Sequence, residues 1–281
     1  MCDENCITRR DFIGAAAGAA VASSAAMATP ANVRLALNDS RIVQGFVRFP
    51  NGPAMIDGYL ARPKAPGRYK VVLTLCGPDG LPTIVRNAAA MLAEAGFVGL
   101  AVSWSSREAD PFADRDFICS NSFMERWISD GQAGLTYLNK QSFTAPGKAG
   151  AVGFCGGGVA ALTFAARRDD LGATVAFYAP PMKPPPQCVA PGDTRQTPIE
   201  FIGQLKTPVQ LHYGTRDDLI SLDDVAALRK ELQRNGNKAD VFIYEGARHA
   251  FHDVDRAEFY NPSAAQLSWK RTLSFLRQHL S

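Results

Sequence analysis

The stretch Gly153-Phe154-Cys155-Gly156-Gly157 carries a thiol at the point where a strand is predicted to meet a helix. Residues 148–154 form a short apolar run typical of a buried strand, and residues 157–168 have small apolar residues at helical spacing. A sharp strand-to-helix turn strains its central residue, and flanking glycines remove Cβ atoms that would collide there. We therefore predict a nucleophile elbow with Cys155 at a helix N-terminus, where unpaired N–H groups lower a thiol pKa. The alternative is a small buried core cysteine.

Two later segments carry the partners that a thiol nucleophile needs. Residues 209–220 (VQLHYGTRDDLI) predict an apolar strand that ends in a glycine turn, with Asp217 and Asp218 at its tip. Residues 239–251 (ADVFIYEGARHAF) predict another strand, followed by a loop that carries His249. The chain order of nucleophile, acid and histidine is that of the α/β-hydrolase fold.

The elements that would position these side chains alternate between strand and helix. Alternating residues at 42–49 and 54–61 predict an antiparallel hairpin at a sheet edge. Further strands are predicted at 69–76, 97–104, 148–154, 173–178, 209–213 and 240–244, and helices at 83–95, 122–140, 157–168, 222–233 and 263–280. This alternation implies right-handed crossovers and predicts an α/β fold with a doubly wound, mostly parallel sheet.

With these motifs in place, the chain from about Arg41 to its C-terminus resembles the dienelactone hydrolases, or carboxymethylenebutenolidases, of the α/β-hydrolase superfamily. The resemblance rests on GFCGGG around Cys155, GTRD ending at Asp217 and YEGARHAF around His249. It implies that Cys155 is the nucleophile and that Asp217 and His249 complete a catalytic triad. Asp217 is preferred over Asp218 because it fills the fourth place of the GxxD pattern.

Two departures from the family pattern concern the substrate. Members that open dienelactones carry a glutamate after the first core strand, whereas the matching segment here is LTLCGPDG, residues 73–80. They also carry an arginine soon after the catalytic histidine, where this chain continues with Ala250-Phe251-His252-Asp253. A carboxylate-bearing lactone would lose that anchor. We expect His252 to be a solvated loop histidine, and the alternative is contact with substrate or with the acid pair.

The predicted reaction is hydrolysis of a lactone or small carboxylic ester through an acyl-thioester on Cys155. Backbone N–H groups of Gly156 and of Leu75 or Cys76 are the expected oxyanion donors. The candidate substrate contacts are Trp104, Arg107, Phe123 and His252. A solvated surface role is nevertheless expected for Arg107. No metal or organic cofactor is expected, and the alternative functions are a general carboxylesterase or thioesterase, or a catalytically idle binding protein on the same fold.

The N-terminal residues carry a second signal, a pair of arginines before an apolar run. Thr8 to Ile13 (TRRDFI) precede an alanine-rich segment at 14–25, and Ala26-Met27-Ala28 matches a cleavage pattern. This segment resembles a twin-arginine export signal, and the alternative is an amphipathic helix of a cytosolic protein. We expect a signal peptide at residues 1–28, used by the export machinery, and a single α/β-hydrolase domain at residues 29–281. The mature protein is then periplasmic.

The composition of the chain bears on whether it binds nucleic acid, a membrane or a metal ion. The chain has 30 Lys and Arg against 27 Asp and Glu, a net charge of +3 without a basic run, which gives no reason to expect nucleic-acid binding. The N-terminal run is too short and too weakly apolar to serve as a stable membrane anchor. Cys2 and Cys6 belong to the expected signal segment, and the other four cysteines, Cys76, Cys119, Cys155 and Cys188, lack the spacing of a metal site. Cys119 and Cys188 could pair in an oxidising compartment, but we expect them to be unpaired.

Overall fold

The described part of the chain forms an eight-stranded sheet with helices on both faces. The computed structural model describes residues 36–75, 80–107, 120–181 and 196–280. The strands are β1 Ile42–Asn51, β2 Ala54–Pro63, β3 Val71–Leu75, β4 Val98–Val102, β5 Ala149–Phe154, β6 Leu171–Phe177, β7 Val209–Arg216 and β8 Ala239–Arg248. The helices are α1 Thr83–Glu94, α2 Asn121–Asn139, α3 Gly156–Arg167, α4 Pro198–Phe201, α5 Leu222–Arg234 and α6 Pro262–His279.

The sheet has the strand order β1-β2-β4-β3-β5-β6-β7-β8. β1 pairs with β2 and β2 with β4 in antiparallel fashion, whereas the pairs from β4 through β8 are parallel. The predicted mostly parallel sheet with an antiparallel edge hairpin is thereby confirmed. Because parallel strands run in the same direction, the carboxyl ends of β5, β6, β7 and β8 lie side by side at one edge of the sheet.

The central strands are covered by helices on both faces, which explains their apolar sequences. Every residue of β3 (VVLTL) and of β5 (AGAVGF) is buried. Leu92 of α1 and Phe275 of α6 belong to one core cluster, whereas Trp127 of α2 and Phe164 of α3 belong to another. Full burial of one such side chain contributes roughly 1.5–3 kcal/mol. The two clusters therefore hold the strand ends in a fixed relation to one another.

The ends of β7 and β8 differ from the prediction. β7 continues past Gly214 instead of turning there, and β8 extends past Tyr244 until the residue before His249. Gly214 is required for close pairing of these strands, because a Cβ atom at this position would lie 2.1 Å from the carbonyl oxygen of Ala247. The predicted glycine turn was therefore wrong. The longer strand pair carries Asp217 and His249 to the same edge of the sheet.

Several predicted features lie outside the described residues. They are the expected signal peptide at residues 1–28, the oxyanion candidate Cys76, and the two cysteines Cys119 and Cys188. Among the helices that are described, none combines the length and the apolar character that crossing a membrane requires.

Candidate active site

Cys155 lies in the sharp turn between β5 and α3. Its backbone has φ 53° and ψ −121°, which residues other than glycine rarely adopt. The turn depends on Gly153, because a Cβ atom there would lie 2.1 Å from the carbonyl oxygen of Gly157. The Cys155 N–H donates to the Phe177 carbonyl at 3.0 Å and ties the turn to the end of β6. The strand, turn and helix predicted for the elbow are thus all present, and the thiol stands at the N-terminus of α3.

The structure brings Cys155 together with two of its predicted partners. His249 Nε2 lies 3.3 Å from Cys155 Sγ, and His249 Nδ1 lies 2.9 and 3.1 Å from the two carboxylate oxygens of Asp217. The same carboxylate accepts the backbone N–H groups of Leu219 and Ile220 at 2.9 and 3.0 Å, which hold it in place. The side chains of His249 and Asp217 are 6% and 1% exposed, so little water competes for these hydrogen bonds.

The electrostatic environment favours an ion pair between the thiol and the imidazole. Burial raises the pKa of the Cys155 thiol, but the charge and hydrogen bond of His249 and the N–H of Gly156 outweigh burial and bring this pKa below its ordinary value. Burial lowers the pKa of His249, but the neighbouring thiolate and the Asp217 carboxylate raise it above its ordinary value. The thiolate is the nucleophilic form of cysteine, so the arrangement is suited to attack on a carbonyl carbon.

The two candidate acids have different partners. Asp218 forms an ion pair with Arg248 and its side chain is 59% exposed. Asp217 is the acid that hydrogen-bonds to His249. The role of Asp217 as the acid that orients His249 in catalysis stays a prediction.

The described residues include two of the three oxyanion candidates. Gly156 begins α3, and its backbone N–H helps to lower the pKa of the Cys155 thiol. Leu75 ends β3 and pairs in register with Gly153, so the end of β3 lies beside the elbow. Cys76 follows Leu75 and lies outside the described residues. An oxyanion site between the start of α3 and the end of β3 stays a prediction.

Comparison with protein families identifies the group to which this arrangement belongs. The model described as the dienelactone hydrolase family matches residues 56–280. The matched range begins within β2 and includes Cys155, Asp217 and His249. This chain belongs to the dienelactone hydrolase family. It is therefore a hydrolase on the α/β-hydrolase fold, as its motifs indicated.

Individual relatives match over most of the chain. A Bradyrhizobium sp. protein named a probable 2-oxo-3-(5-oxofuran-2-ylidene)propanoate lactonase is 32% identical over 235 residues, which cover 82% of this chain and 92% of that protein. A candidate carboxymethylenebutenolidase of Escherichia coli K12 is 29% identical over 254 residues, covering 86% and 89%. The crystal structure of a candidate dienelactone hydrolase from Klebsiella pneumoniae matches with a TM-score of 0.71 at 25% identity, covering 84% of this chain and 99% of that one.

The predicted substrate contacts of this family member have different surroundings. Trp104 and Phe123 are buried, and their rings meet edge to face at 4.8 Å beside Trp127. The expectation of a solvated Arg107 was wrong, because its side chain is only 23% exposed and pairs with the buried carboxylate of Asp130. This pairing already compensates the charge of Arg107. Contact of these side chains with substrate stays a prediction.

His252 is buried, so the predicted solvated loop histidine was wrong. Its ring packs against Phe154, Phe177 and Trp269 at centroid distances of 5.5, 5.2 and 5.6 Å. Its Nε2 atom is buried without a hydrogen-bond partner among the described residues. Burial lowers the pKa of His252 to about 4, so the ring is neutral near neutral pH. His252 therefore behaves as a core residue within an aromatic cluster beside the elbow.

Tyr178 is a residue of this site that sequence reasoning did not identify. It directly follows β6, is buried, and its ring centroid lies 4.9 Å from that of His249. The sequence signal that could have identified Tyr178 is its position at the end of the strand predicted at residues 173–178. In the observed strand order β6 lies between the strands that end near Cys155 and Asp217, so the residue after β6 must lie close to both.

Proposed function

We propose that this member of the dienelactone hydrolase family cleaves a lactone or small carboxylic ester through an acyl-thioester on Cys155. One observation carries the proposal, the continuous contact from Asp217 through His249 to Cys155, with distances of 2.9 Å at Nδ1 and 3.3 Å at Nε2. This order of acid, imidazole and nucleophile supports covalent catalysis with proton transfer through the imidazole.

Acylation begins with the thiolate of Cys155 and the imidazolium of His249. The sulfur attacks the carbonyl carbon of the ester and forms a C–S bond, while negative charge develops on the carbonyl oxygen. The N–H of Gly156 would stabilise that charge, and one such donor typically contributes about 3 kcal/mol. The intermediate then collapses, the C–O bond breaks, and His249 Nε2–H donates its proton to the leaving alkoxide. With a lactone, the alcohol stays attached to the acyl group.

Deacylation returns the enzyme to its starting state. Neutral His249 accepts a proton from a water molecule, whose oxygen attacks the thioester carbonyl. The C–S bond breaks, the carboxylic acid leaves, and the thiolate is again paired with an imidazolium. Asp217 accepts the Nδ1–H hydrogen bond throughout, which directs Nε2 towards the sulfur and stabilises the positive charge of the ring.

The substrate is proposed as a class, with a preference for molecules without a carboxylate. The Bradyrhizobium relative is named for a lactone that also carries a propanoate group. In this chain Ala250 and Phe251 follow His249 and both are buried, and the next two positions hold His252 and Asp253 instead of an arginine. We therefore expect kcat/KM to be higher for the methyl ester of a lactone carboxylate than for the free carboxylate, and the reverse order would contradict this preference.

The decisive experiment compares wild type with Cys155→Ala on p-nitrophenyl acetate. We expect the variant to lose about 10³-fold or more in kcat, because the covalent route is removed. Mass spectrometry after an acid quench should detect an acetyl group on the wild type alone. Thermal unfolding of both proteins separates loss of chemistry from loss of folding. A Cys155→Ala protein that folds and keeps the full rate would overturn the proposal.

We further propose that residues 1–28 direct export and that the mature enzyme works in the periplasm. The TRRDFI segment and the apolar run after it support this proposal. Expression of the full chain in a bacterium with a twin-arginine pathway, followed by cell fractionation, tests it. We expect processed enzyme in the periplasm for the native chain and retention in the cytoplasm for a variant with Arg9→Lys and Arg10→Lys. Equal distribution of both proteins would contradict export by this pathway.

A further inference from the structure

The four neighbouring strands β5 to β8 end beside the active site. The residues directly after them are Cys155, Tyr178, Asp217 and His249. Cys155 follows β5 and His249 follows β8, while β6 and β7 lie between them. Adjacent strands are about 4.8 Å apart. Because His249 Nε2 lies 3.3 Å from the Cys155 sulfur, the path from the end of β8 to Cys155 passes the ends of β7 and β6. Tyr178 is the residue directly after β6, and so it lies along that path.

The Tyr178 ring packs directly against the imidazole of His249. The two ring centroids are 4.9 Å apart at an interplanar angle of 60°. On its other sides Tyr178 contacts the rings of Phe251 at 5.4 Å and Phe154 at 6.3 Å. Because the tyrosine is buried among these rings, it presents a stiff aromatic surface to one side of the imidazole.

Hydrogen bonds from β7 hold the backbone at Tyr178 in place. The Tyr178 N–H donates to the His212 carbonyl at 2.7 Å. The carbonyl of the next residue, Ala179, accepts the hydroxyl of Tyr213 at 3.1 Å. The end of β6 is thus fastened to the strand that also carries Asp217.

The backbone conformation of Tyr178 indicates that its position is imposed by its surroundings. Its φ is 38°, where a bulky side chain is strained. Within the described ranges, the non-glycine residues with positive φ are Cys155, Tyr178 and Ala250. Cys155 is the proposed nucleophile, Tyr178 packs on the His249 ring, and Ala250 follows His249 in the chain. Backbone strain that gathers in this way is characteristic of functional sites.

We propose that Tyr178 is a positioning residue that keeps the imidazole of His249 aligned between Asp217 and Cys155. The inference rests on the proposed function, because it assigns a part in the same reaction. The aromatic ring restricts rotation of the imidazole away from the sulfur, and an aromatic ring near a cation also favours its charged form. The ionisable groups that hydrogen-bond to the imidazole are the thiol and the Asp217 carboxylate, while the flanking Arg248 pairs with Asp218.

Two substitutions distinguish the effect of the aromatic ring at residue 178 from the effect of side-chain volume. Tyr178→Phe keeps the aromatic ring, and Tyr178→Leu replaces it with a flexible apolar side chain. We expect kcat on p-nitrophenyl acetate to change little in the first variant and to fall about 10- to 100-fold in the second, since misplacement by about 1 Å can cost 100-fold. KM should change little in both.

Alkylation of Cys155 by iodoacetamide across pH supplies a readout that a purely structural role would leave unchanged. We expect the apparent pKa of the thiol in Tyr178→Leu to rise towards that of an ordinary cysteine, and in Tyr178→Phe to stay at the wild-type position. Wild-type kcat and an unshifted alkylation profile in Tyr178→Leu would overturn the proposal. If that variant does not fold, Tyr178→Asn takes its place, because asparagine tolerates positive φ. A wild-type enzyme without esterase activity would refute the proposed function, whereas the alkylation profile would still decide the role of Tyr178.

Discussion

Asp217 and Asp218 are consecutive in the chain, yet their carboxylates bind different partners. Asp217 accepts a hydrogen bond from His249 at 2.9 Å, whereas Asp218 pairs with Arg248. These partners are consecutive as well, so two acid–base pairs lie next to each other across the ends of β7 and β8. One pair is buried and the other is exposed. An ion pair is strong where water is excluded and weak where it is not, so the two pairs are expected to differ greatly in importance.

Substitution of each acid by its amide tests this difference with a closely matched control. We expect Asp217→Asn to lower kcat about 10²- to 10⁴-fold, because the amide neither stabilises an imidazolium nor selects the correct tautomer. Asp218→Asn should change kcat less than about threefold, since exposed ion pairs contribute little. Steady-state kinetics on p-nitrophenyl acetate measures both values. Comparable losses in the two variants would show that the acid is not Asp217 alone.

The pH dependence of thiol alkylation tests the proposed ion pair. Because the pKa of Cys155 is lowered and that of His249 is raised, the thiolate and the imidazolium coexist in the pH range between the two values. We expect iodoacetamide to modify the wild-type thiol well below the ordinary cysteine pKa of about 8.5. In His249→Gln burial and the negative charge of Asp217 both still raise the thiol pKa, and only the Gly156 N–H still lowers it, so the reactivity should move to higher pH. An identical profile for the two proteins would contradict the ion pair.

His252 should make the protein less stable in mild acid. Its folded pKa of about 4 lies below the ordinary value of 6.5, so between these values the unfolded chain binds more protons. Stability therefore falls as the pH is lowered through this range, by about 2 kcal/mol between pH 7 and pH 5 from this residue. His252→Phe should remove that share of the loss. Urea unfolding of both proteins at the two pH values measures it, and equal losses would show that His252 does not contribute.

The elbow should not tolerate a single methyl group at Gly153. A Cβ atom there meets a backbone carbonyl, which cannot move without displacing the start of α3. We expect Gly153→Ala to lower the free energy of unfolding by about 3 kcal/mol or more. Gly45→Ala on the edge strand is the control, because a Cβ atom there meets nothing within 4 Å, and its effect should stay within about 0.5 kcal/mol. Urea unfolding should therefore rank the two variants far apart, and similar midpoints would be inconsistent with a steric requirement at the elbow.

The features that the sequence by itself determined are those that depend on neighbours in the chain. The apolar runs of β3 and β5 predicted buried parallel strands, and the glycines around Cys155 predicted the elbow, because hydrophobic periodicity and local steric exclusion act over a few residues. The same local evidence located the acid pair and His249. It failed at Gly214, because the role of that glycine is a close approach by another strand rather than a turn.

The tertiary structure alone decided which side chains meet. Proximity between Tyr178 and His249 follows from the order of β5, β6, β7 and β8 in the sheet, which no local pattern encodes. His252 is buried by Phe154, Phe177 and Trp269, which come from three different elements. Pairing of Arg107 with a buried carboxylate likewise required the approach of α2. Burial and hydrogen-bond partners depend on the packing of segments far apart in the chain, and so they become known only when the fold is complete.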